Sequence, residues 1–174
     1  MPLPVAHGLV GASVVALWRP SAHLSDDWPK LALGAFLAIS PDFDFILVWG
    51  WHMRGLHRGP THSILMAVVV TLLMLAAMGL SQAKNALAYG SAFLSHTLLD
   101  FSATKIGGGV QLFWPFMKDR FKLGLSAFSD FPHGFNLRTA ALACLVELLV
   151  FAPVLAAILL FRKYLFRAHA QEAV

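Results

Sequence analysis

The C-terminal part of the chain contains a long apolar stretch, TAALACLVELLVFAPVLAAILLF, at residues 139–161. Its 23 residues include one acidic side chain, Glu147, and no basic side chain. A helix needs about 20 predominantly apolar residues to cross the hydrocarbon core of a bilayer, so this stretch is long enough for one span. We therefore predict a transmembrane helix here.

The composition extends this interpretation to the rest of the chain. Of its 174 residues, 58% are hydrophobic and 13% are charged, whereas an ordinary soluble domain carries about 25% charged residues. The mean hydropathy of +0.69 also argues against a soluble globular protein. The net charge of +4 reflects 13 basic against 9 acidic residues rather than a basic patch, so no nucleic-acid partner is expected. The single cysteine, Cys144, excludes an intrachain disulfide and a cysteine-based metal site.

Four further apolar stretches complete the plan, and the second of them is broken at Pro41. No Lys or Arg precedes the first stretch, so we interpret it as a retained helix rather than a cleaved signal. The predicted fold is all-α, a polytopic transmembrane bundle of about five spans in a single domain, 1–174. The predicted segments are spans at 3–18, 31–51, 63–80, 85–101 and 139–161, a loop at 19–30, a partly irregular cap at 102–138 and a basic tail at 162–174.

Polar residues of this bundle fall on one side of the membrane. If each span carries the chain to the opposite face, histidines and aspartates from distant parts of the sequence return to the face where the N-terminus begins. Ionisable groups within spans indicate a functional site by default. The seven candidate ligands are His7, Asp42, Asp44, His57, His62, His96 and Asp100.

His96 and Asp100 are four residues apart, which places both side chains on one helical face, close enough to hold one cation. The alternative is a hydrogen bond that stabilises a helix end. Asp42 and Asp44 are two apart, so both face one site only if Pro41 has unwound the turn. The alternative there is a membrane-exit turn with two solvated acids.

Residues 57–62 read His-Arg-Gly-Pro-Thr-His, a loop that runs into a helix with Thr61 as the predicted N-cap. Histidine together with aspartate suits Zn, Mn or Fe better than the all-oxygen sites of Ca or Mg. We expect one or two divalent ions, with Zn first. Arg58 offers a planar fork for phosphate or carboxylate; its alternative role is a lipid headgroup contact.

Four residues stay open between a site role and an ordinary one. His7 is either a ligand or a packing residue beside Gly8, and Glu147 is protonated, paired or directed into the cavity as a support for the site. His133 is either a late ligand or, as we favour, a loop residue. Trp114 is either an aromatic anchor at the headgroup level or a wall of the substrate site.

Taken together, these motifs resemble the YdjM-like family of inner-membrane-associated, predicted metal-dependent hydrolases. The resemblance covers about residues 5–120, and Phe45 stands where the family often has His. It implies a bacterial or archaeal inner-membrane protein, a distant likeness to zinc-dependent phospholipase C, and the seven candidate ligands as metal-binding or catalytic positions. The motifs that carry it are Pro41-Asp42-Phe43-Asp44, His57-Arg58-Gly59-Pro60-Thr61-His62-Ser63, Ser95-His96-Thr97-Leu98-Leu99-Asp100 and Trp114-Pro115.

The function expected from the sequence is hydrolysis of a lipid or another amphiphilic ester, most readily a phosphoester, by a metal-activated water. Asp42 or Asp44 would act as general base, and Arg58 would hold the phosphate. Two alternatives belong to other classes of protein: an ion or proton conduit built from intramembrane His and Asp, and a haem-binding protein. The sequence does not determine the oligomeric state.

Overall fold

A computed structural model describes residues 2–18, 24–53, 55–104, 108–125 and 136–172. These residues form helices and irregular segments; their single β-bridge joins Val110 and Phe121. Short 3-10 turns at Ser40–Asp44, Pro60–His62 and Leu80–Gln82 lie between the helices. The six α-helices are α1 (Pro4–Trp18), α2 (Leu24–Ile39), α3 (Phe45–Gly50), α4 (Ile64–Met78), α5 (Ala83–Ala103) and α6 (Leu137–Glu172).

The predicted all-α class is confirmed for these residues, and most predicted spans correspond to one helix each. The break at Pro41 is a 3-10 turn between α2 and α3 rather than an unwound end. The predicted loop 19–30 is wrong in its second half, because α2 begins at Leu24. The predicted basic tail from residue 162 lies within α6 as far as Glu172.

Two helical stretches, Asp27–Gly50 and Leu137–Tyr164, are long and apolar enough to cross a membrane. In the most apolar 18-residue segment of each stretch, only 22% and 6% of the segment is buried, so most of its side chains face outward. Such large exposed apolar surfaces are typical of lipid-facing or partner-facing helices and not of soluble cores. α1 and α4 are apolar but shorter, so length and hydropathy support two of the five predicted spans.

α1 lies at the centre of the packing and contacts α2, α5 and α6, while α4 packs against α5. Small residues bring α1 and α2 together: a Cβ at Gly11 would lie 2.6 Å from the carbonyl oxygen of Gly34. Such close approach is typical of packing between membrane helices. The buried core between α1, α2 and α5 includes Val15, Ala16, Leu31, Tyr89 and Ala92.

The ends of the predicted cap are helical, since α5 continues to Ala103 and α6 begins at Leu137. Its described middle part, 108–125, is irregular and packs on the loop that precedes α4. Gln111 N donates to Arg58 O at 3.0 Å, and Ile64 N donates to Leu112 O at 3.0 Å. Arg120 Nη1 donates to His57 O at 3.1 Å. The cap therefore holds in place the loop that carries three of the candidate site residues.

Candidate metal centre

α5 supplies two residues of the site. His96 and Asp100 are both fully buried, on the side of α5 that meets α1 and α2. Their spacing of one helical turn is the one that the sequence predicts. The side chain of His7 on α1 stacks on the His96 ring, with ring centroids 3.8 Å apart.

The 3-10 turn after α2 presents both of its carboxylates to the interior. Asp42 and Asp44 are 8% and 4% exposed, while Phe43 between them points outward. Asp42 Oδ1 lies 3.5 Å from His96 Nε2 and 3.6 Å from His62 Nε2. Asp44 instead accepts hydrogen bonds from the loop 57–61, so the two acids reach different parts of one cluster.

The loop 57–62 ends in the short turn Pro60–His62, and α4 begins after it. The N-cap of α4 is Ser63, whose Oγ accepts from Met66 N at 3.1 Å. The prediction of Thr61 as N-cap is therefore wrong. The Thr61 hydroxyl donates to Asp44 Oδ2 at 2.9 Å, which connects the loop to the 3-10 turn after α2.

The centre of the cluster is a pair of imidazole nitrogens. His62 Nε2 and His96 Nε2 are 2.9 Å apart, and both rings are fully buried. Asp42 Oδ1 lies beside both nitrogens, and Asp100 Oδ2 is 3.9 Å from His62 Nε2. Two nitrogens and two carboxylates thus converge in a space closed to solvent.

The hydrogen bonds on the far sides of these rings determine their tautomers. His96 Nδ1 is 2.7 Å from the carbonyl oxygen of Ala38, and a carbonyl only accepts, so Nδ1 carries the hydrogen. A neutral His96 therefore has its lone pair on Nε2. This arrangement, with one ring nitrogen held by a backbone carbonyl, is common for metal-bound histidines.

The same reasoning applies to His62. Because the Thr61 hydroxyl gives its hydrogen to Asp44, its oxygen is free to accept from His62 Nδ1, 3.0 Å away. Burial is the largest effect on the His62 ring and lowers its pKa below the usual range, against the opposing pull of Asp42. A neutral His62 with hydrogen on Nδ1 also has its lone pair on Nε2.

If both rings are neutral, two lone pairs face each other at 2.9 Å beside two carboxylates. The polar atoms without a hydrogen-bond partner among the described residues include Asp42 Oδ1, both oxygens of Asp100 and both nitrogens of His7. A buried set of electron-rich atoms of this kind is stabilised by positive charge among them, from a protonated side chain or from a metal ion. The donor set fits a divalent metal of the Zn, Mn or Fe type.

Arg58 supplies the positive charge of the cluster. It has a positive φ of 60° and is 6% exposed, and its Nε lies 2.8 Å from Asp100 Oδ2. Its buried Nη2 has no hydrogen-bond partner among the described residues. The guanidinium thus offsets the charge of Asp100 and keeps a donor for a further anion.

Three overlapping groups of residues are close enough to share an ion, with ligand atoms within 4.8 Å of one another: His7 with Asp42 and His96, Asp42 with His57 and His62, and His62 with His96 and Asp100. The structure thus brings six predicted ligands into these groups. Asp44, the seventh, lies against them, with its Oδ1 2.8 Å from His57 Nδ1. Sharing of Asp42, His62 and His96 between groups is compatible with one or two ions.

Two further residues, Trp114 and His133, are candidates from the sequence alone. Trp114 is half-buried in the cap, and no hydrogen bond, ion pair or ring contact of the described residues joins it to the cluster. His133 lies outside the described residues. Sequence reasoning missed the carbonyl of Ala38 and the hydroxyl of Thr61, since neither the backbone contact of His96 nor the tautomer of His62 has a sequence signature.

Fold and cluster together define a class of protein: an all-helical chain with two candidate membrane spans and a buried histidine-aspartate centre suited to a metal. The family model described as YdjM inner membrane protein matches residues 1–170. The chain therefore belongs to this family of inner membrane proteins, and the family resemblance of its motifs is confirmed. Comparisons with curated proteins and with solved structures gave no match.

Proposed function

We propose that this protein is a metal-dependent hydrolase of the inner membrane that cleaves a phosphoester in a lipid or another amphiphilic molecule. The observation that carries the proposal is the buried pair of nitrogens, His62 Nε2 and His96 Nε2, which lie 2.9 Å apart beside the carboxylates of Asp42 and Asp100. We propose further that the helices form the five-span bundle expected from the sequence, with α2 and α3 as one broken span.

Five residues are assigned to hold the metal in this proposal. Zn is the first expectation, with Mn or Fe as alternatives, because the donors are imidazole nitrogens and carboxylate oxygens. A divalent ion bound there would make a coordinated water more acidic and would polarise a phosphoryl oxygen. The assigned ligands are His7, Asp42, His62, His96 and Asp100.

His57 is the residue that we assign to take the proton of the attacking water. Its Nδ1 is 2.8 Å from Asp44 Oδ1, so Nδ1 carries the hydrogen and Nε2 the lone pair. Nε2 has no hydrogen-bond partner among the described residues, and the side chain is 20% exposed. This assignment replaces Asp44 as the base, because both Asp44 oxygens already accept hydrogen bonds from the loop.

Arg58 is assigned to bind the phosphate. Its Nη2 is buried without a hydrogen-bond partner among the described residues, and an arginine fork matches phosphate geometry. Support for an amphiphilic substrate comes from a groove of about 550 Å³ along α1 and α2. Its lining is apolar from Pro4 on α1 to Trp28 on α2 and includes Leu148 of α6, a surface suited to an acyl chain.

The test is elemental analysis of the full chain purified in detergent beside the double variant His96→Ala, Asp100→Ala. We expect one or two equivalents of metal in the wild type and loss of metal and phosphodiesterase activity in the double variant. Asp27→Asn is the matched control, since Asp27 is also buried but pairs with Arg162 away from the cluster. A wild type without metal after zinc reloading would refute the proposal.

An ion or proton conduit is the second candidate function, and one observation favours it. The buried pair Asp27 and Arg162, 2.8 Å apart, places polar groups near the opposite end of α2 from Asp42. Proton uptake by vesicles that contain the protein, driven by a potassium gradient and followed with a pH-sensitive dye, separates the two functions. The hydrolase proposal predicts no uptake above that of empty vesicles.

The haem alternative fits the cluster poorly. Two axial histidines need a porphyrin iron between their nitrogens, whereas the rings of His62 and His96 are in edge-to-face contact, with centroids 4.7 Å apart. An absorbance scan of the purified protein checks this directly, and a Soret band would contradict our interpretation.

A further inference from the structure

Glu147 on α6 holds the beginning of α1. Its Oε1 accepts from Leu3 N at 2.6 Å and its Oε2 accepts from Ala6 N at 3.0 Å. The side chain is fully buried. N–H groups in the first turn of a helix have no partner within the helix, and a negative charge there is favoured by the helix dipole. The last helix therefore holds the first turn of α1, in which Ala6 directly precedes His7.

His7 differs from the other histidines of the cluster in how its ring is held. His57, His62 and His96 each have Nδ1 within hydrogen-bond distance of a fixed oxygen. Neither nitrogen of His7 has a hydrogen-bond partner among the described residues. Its ring is placed by stacking on His96 and by the position of the α1 backbone.

These two observations indicate that the position of His7 depends on Glu147. A shift of the first turn of α1 moves His7 directly, because no hydrogen bond of the ring opposes the shift. Glu147 opposes such a shift through its two hydrogen bonds to the α1 backbone. His7 Nε2 lies 3.7 Å from Asp100 Oδ1, so a small displacement changes the donor set on that side of the cluster.

We propose that Glu147 is a positioning residue for the metal centre and acts through His7. The inference rests on the proposed function, because it assigns to Glu147 the placement of a ligand of that centre. Residues that orient metal ligands without touching the metal commonly change metal affinity by about 10- to 100-fold when they are replaced. A purely structural anchor would change the stability of the protein without this specific effect.

The experiment is a zinc titration of the detergent-purified full chain against a competing chelator. Glu147→Gln replaces one acceptor oxygen with an amide that cannot accept from an N–H, and we expect zinc affinity to fall about 10-fold. In the His7→Ala background the same substitution should have no further effect, since the ligand it positions is absent. Glu147→Asp, which keeps the charge but is one methylene shorter, gives the same test if the Gln variant does not accumulate.

Asp27→Asn serves as the control for the anchoring of α6. It removes the charge from another buried contact of this helix, that of Arg162 with Asp27, and should lower the melting temperature while zinc affinity stays unchanged. A wild type that binds no zinc would overturn the proposed function and this inference together. A wild type that binds zinc, with equal affinity in Glu147→Gln or an equal loss in the His7→Ala background, would overturn the inference alone.

Discussion

Asp44 organises more of the candidate site than any other single residue of the 3-10 turn after α2. It accepts from His57 Nδ1 at 2.8 Å, from Arg58 N at 3.2 Å and from Thr61 Oγ1 at 2.9 Å. Through Thr61 it also sets the tautomer of His62. One carboxylate thus orients two histidines, which is the support that metal and acid-base sites require.

Replacement of Asp44 by Asn should therefore lower kcat more than it changes KM. We expect kcat for a model phosphodiester such as bis(p-nitrophenyl) phosphate to fall about 10²- to 10⁴-fold, because His57 loses the partner that fixes its tautomer. KM should change little, since Arg58 keeps its ion pair with Asp100. Steady-state kinetics beside Asp119→Asn, an exposed acid of the cap, check this, and an undiminished kcat would exclude His57 as the base.

At the scale of the helices, the contact between α1 and α2 connects packing to the site. Gly11 and Gly34 allow the two backbones to approach closely, and the carbonyl of Ala38 on α2 holds the ring of His96. Any separation of these helices should therefore also move a metal ligand.

Gly11→Val tests this connection, because its side chain would collide with Ala38 and with the Gly34 backbone. Overpacking of this kind costs about 1–3 kcal/mol, so we expect a lower melting temperature in detergent and weaker zinc binding. Gly50→Ala is the control, since a Cβ there has no neighbour within 4 Å. An unchanged melting temperature for Gly11→Val would mean that the helices separate at little cost.

At the scale of the whole molecule, the apolar surface is as informative as the site. Large side chains remain exposed on α4 and α6, among them Leu73 at 63% and Leu149 at 65%. A monomeric soluble protein rarely exposes so much contiguous apolar surface. Membership of an inner membrane protein family is compatible with lipid contact at this surface.

The corresponding prediction is that the protein stays in the membrane pellet after an alkaline carbonate wash. Leu149→Arg should reduce the fraction in the pellet, because a charge near the middle of a span costs about 2.5–3.5 kcal/mol. Leu137→Arg, at the first residue of α6 and 74% exposed, should not. Release of the wild type by carbonate would contradict the assignment of α6 as a span.

The sequence by itself determined the helical class, the break at Pro41 and the set of histidines and aspartates that meet. Hydropathy is a sum over local residues and helical spacing is periodic, so both can be read from the chain without a partner. The same local patterns predicted the start of α2 and the N-cap of α4 at the wrong residues. A helix boundary depends on which nearby side chain reaches the backbone.

Only the tertiary structure decided which role each residue of the site has. The Nε2 lone pairs of His62 and His96 follow from contacts with Thr61 and Ala38, and the placement of His7 follows from Glu147, 140 positions away in sequence. Each of these contacts joins groups that carry no mutual signal in the sequence. A hydrogen bond selects a tautomer only when packing brings donor and acceptor within about 3 Å, and that packing is a property of the folded chain.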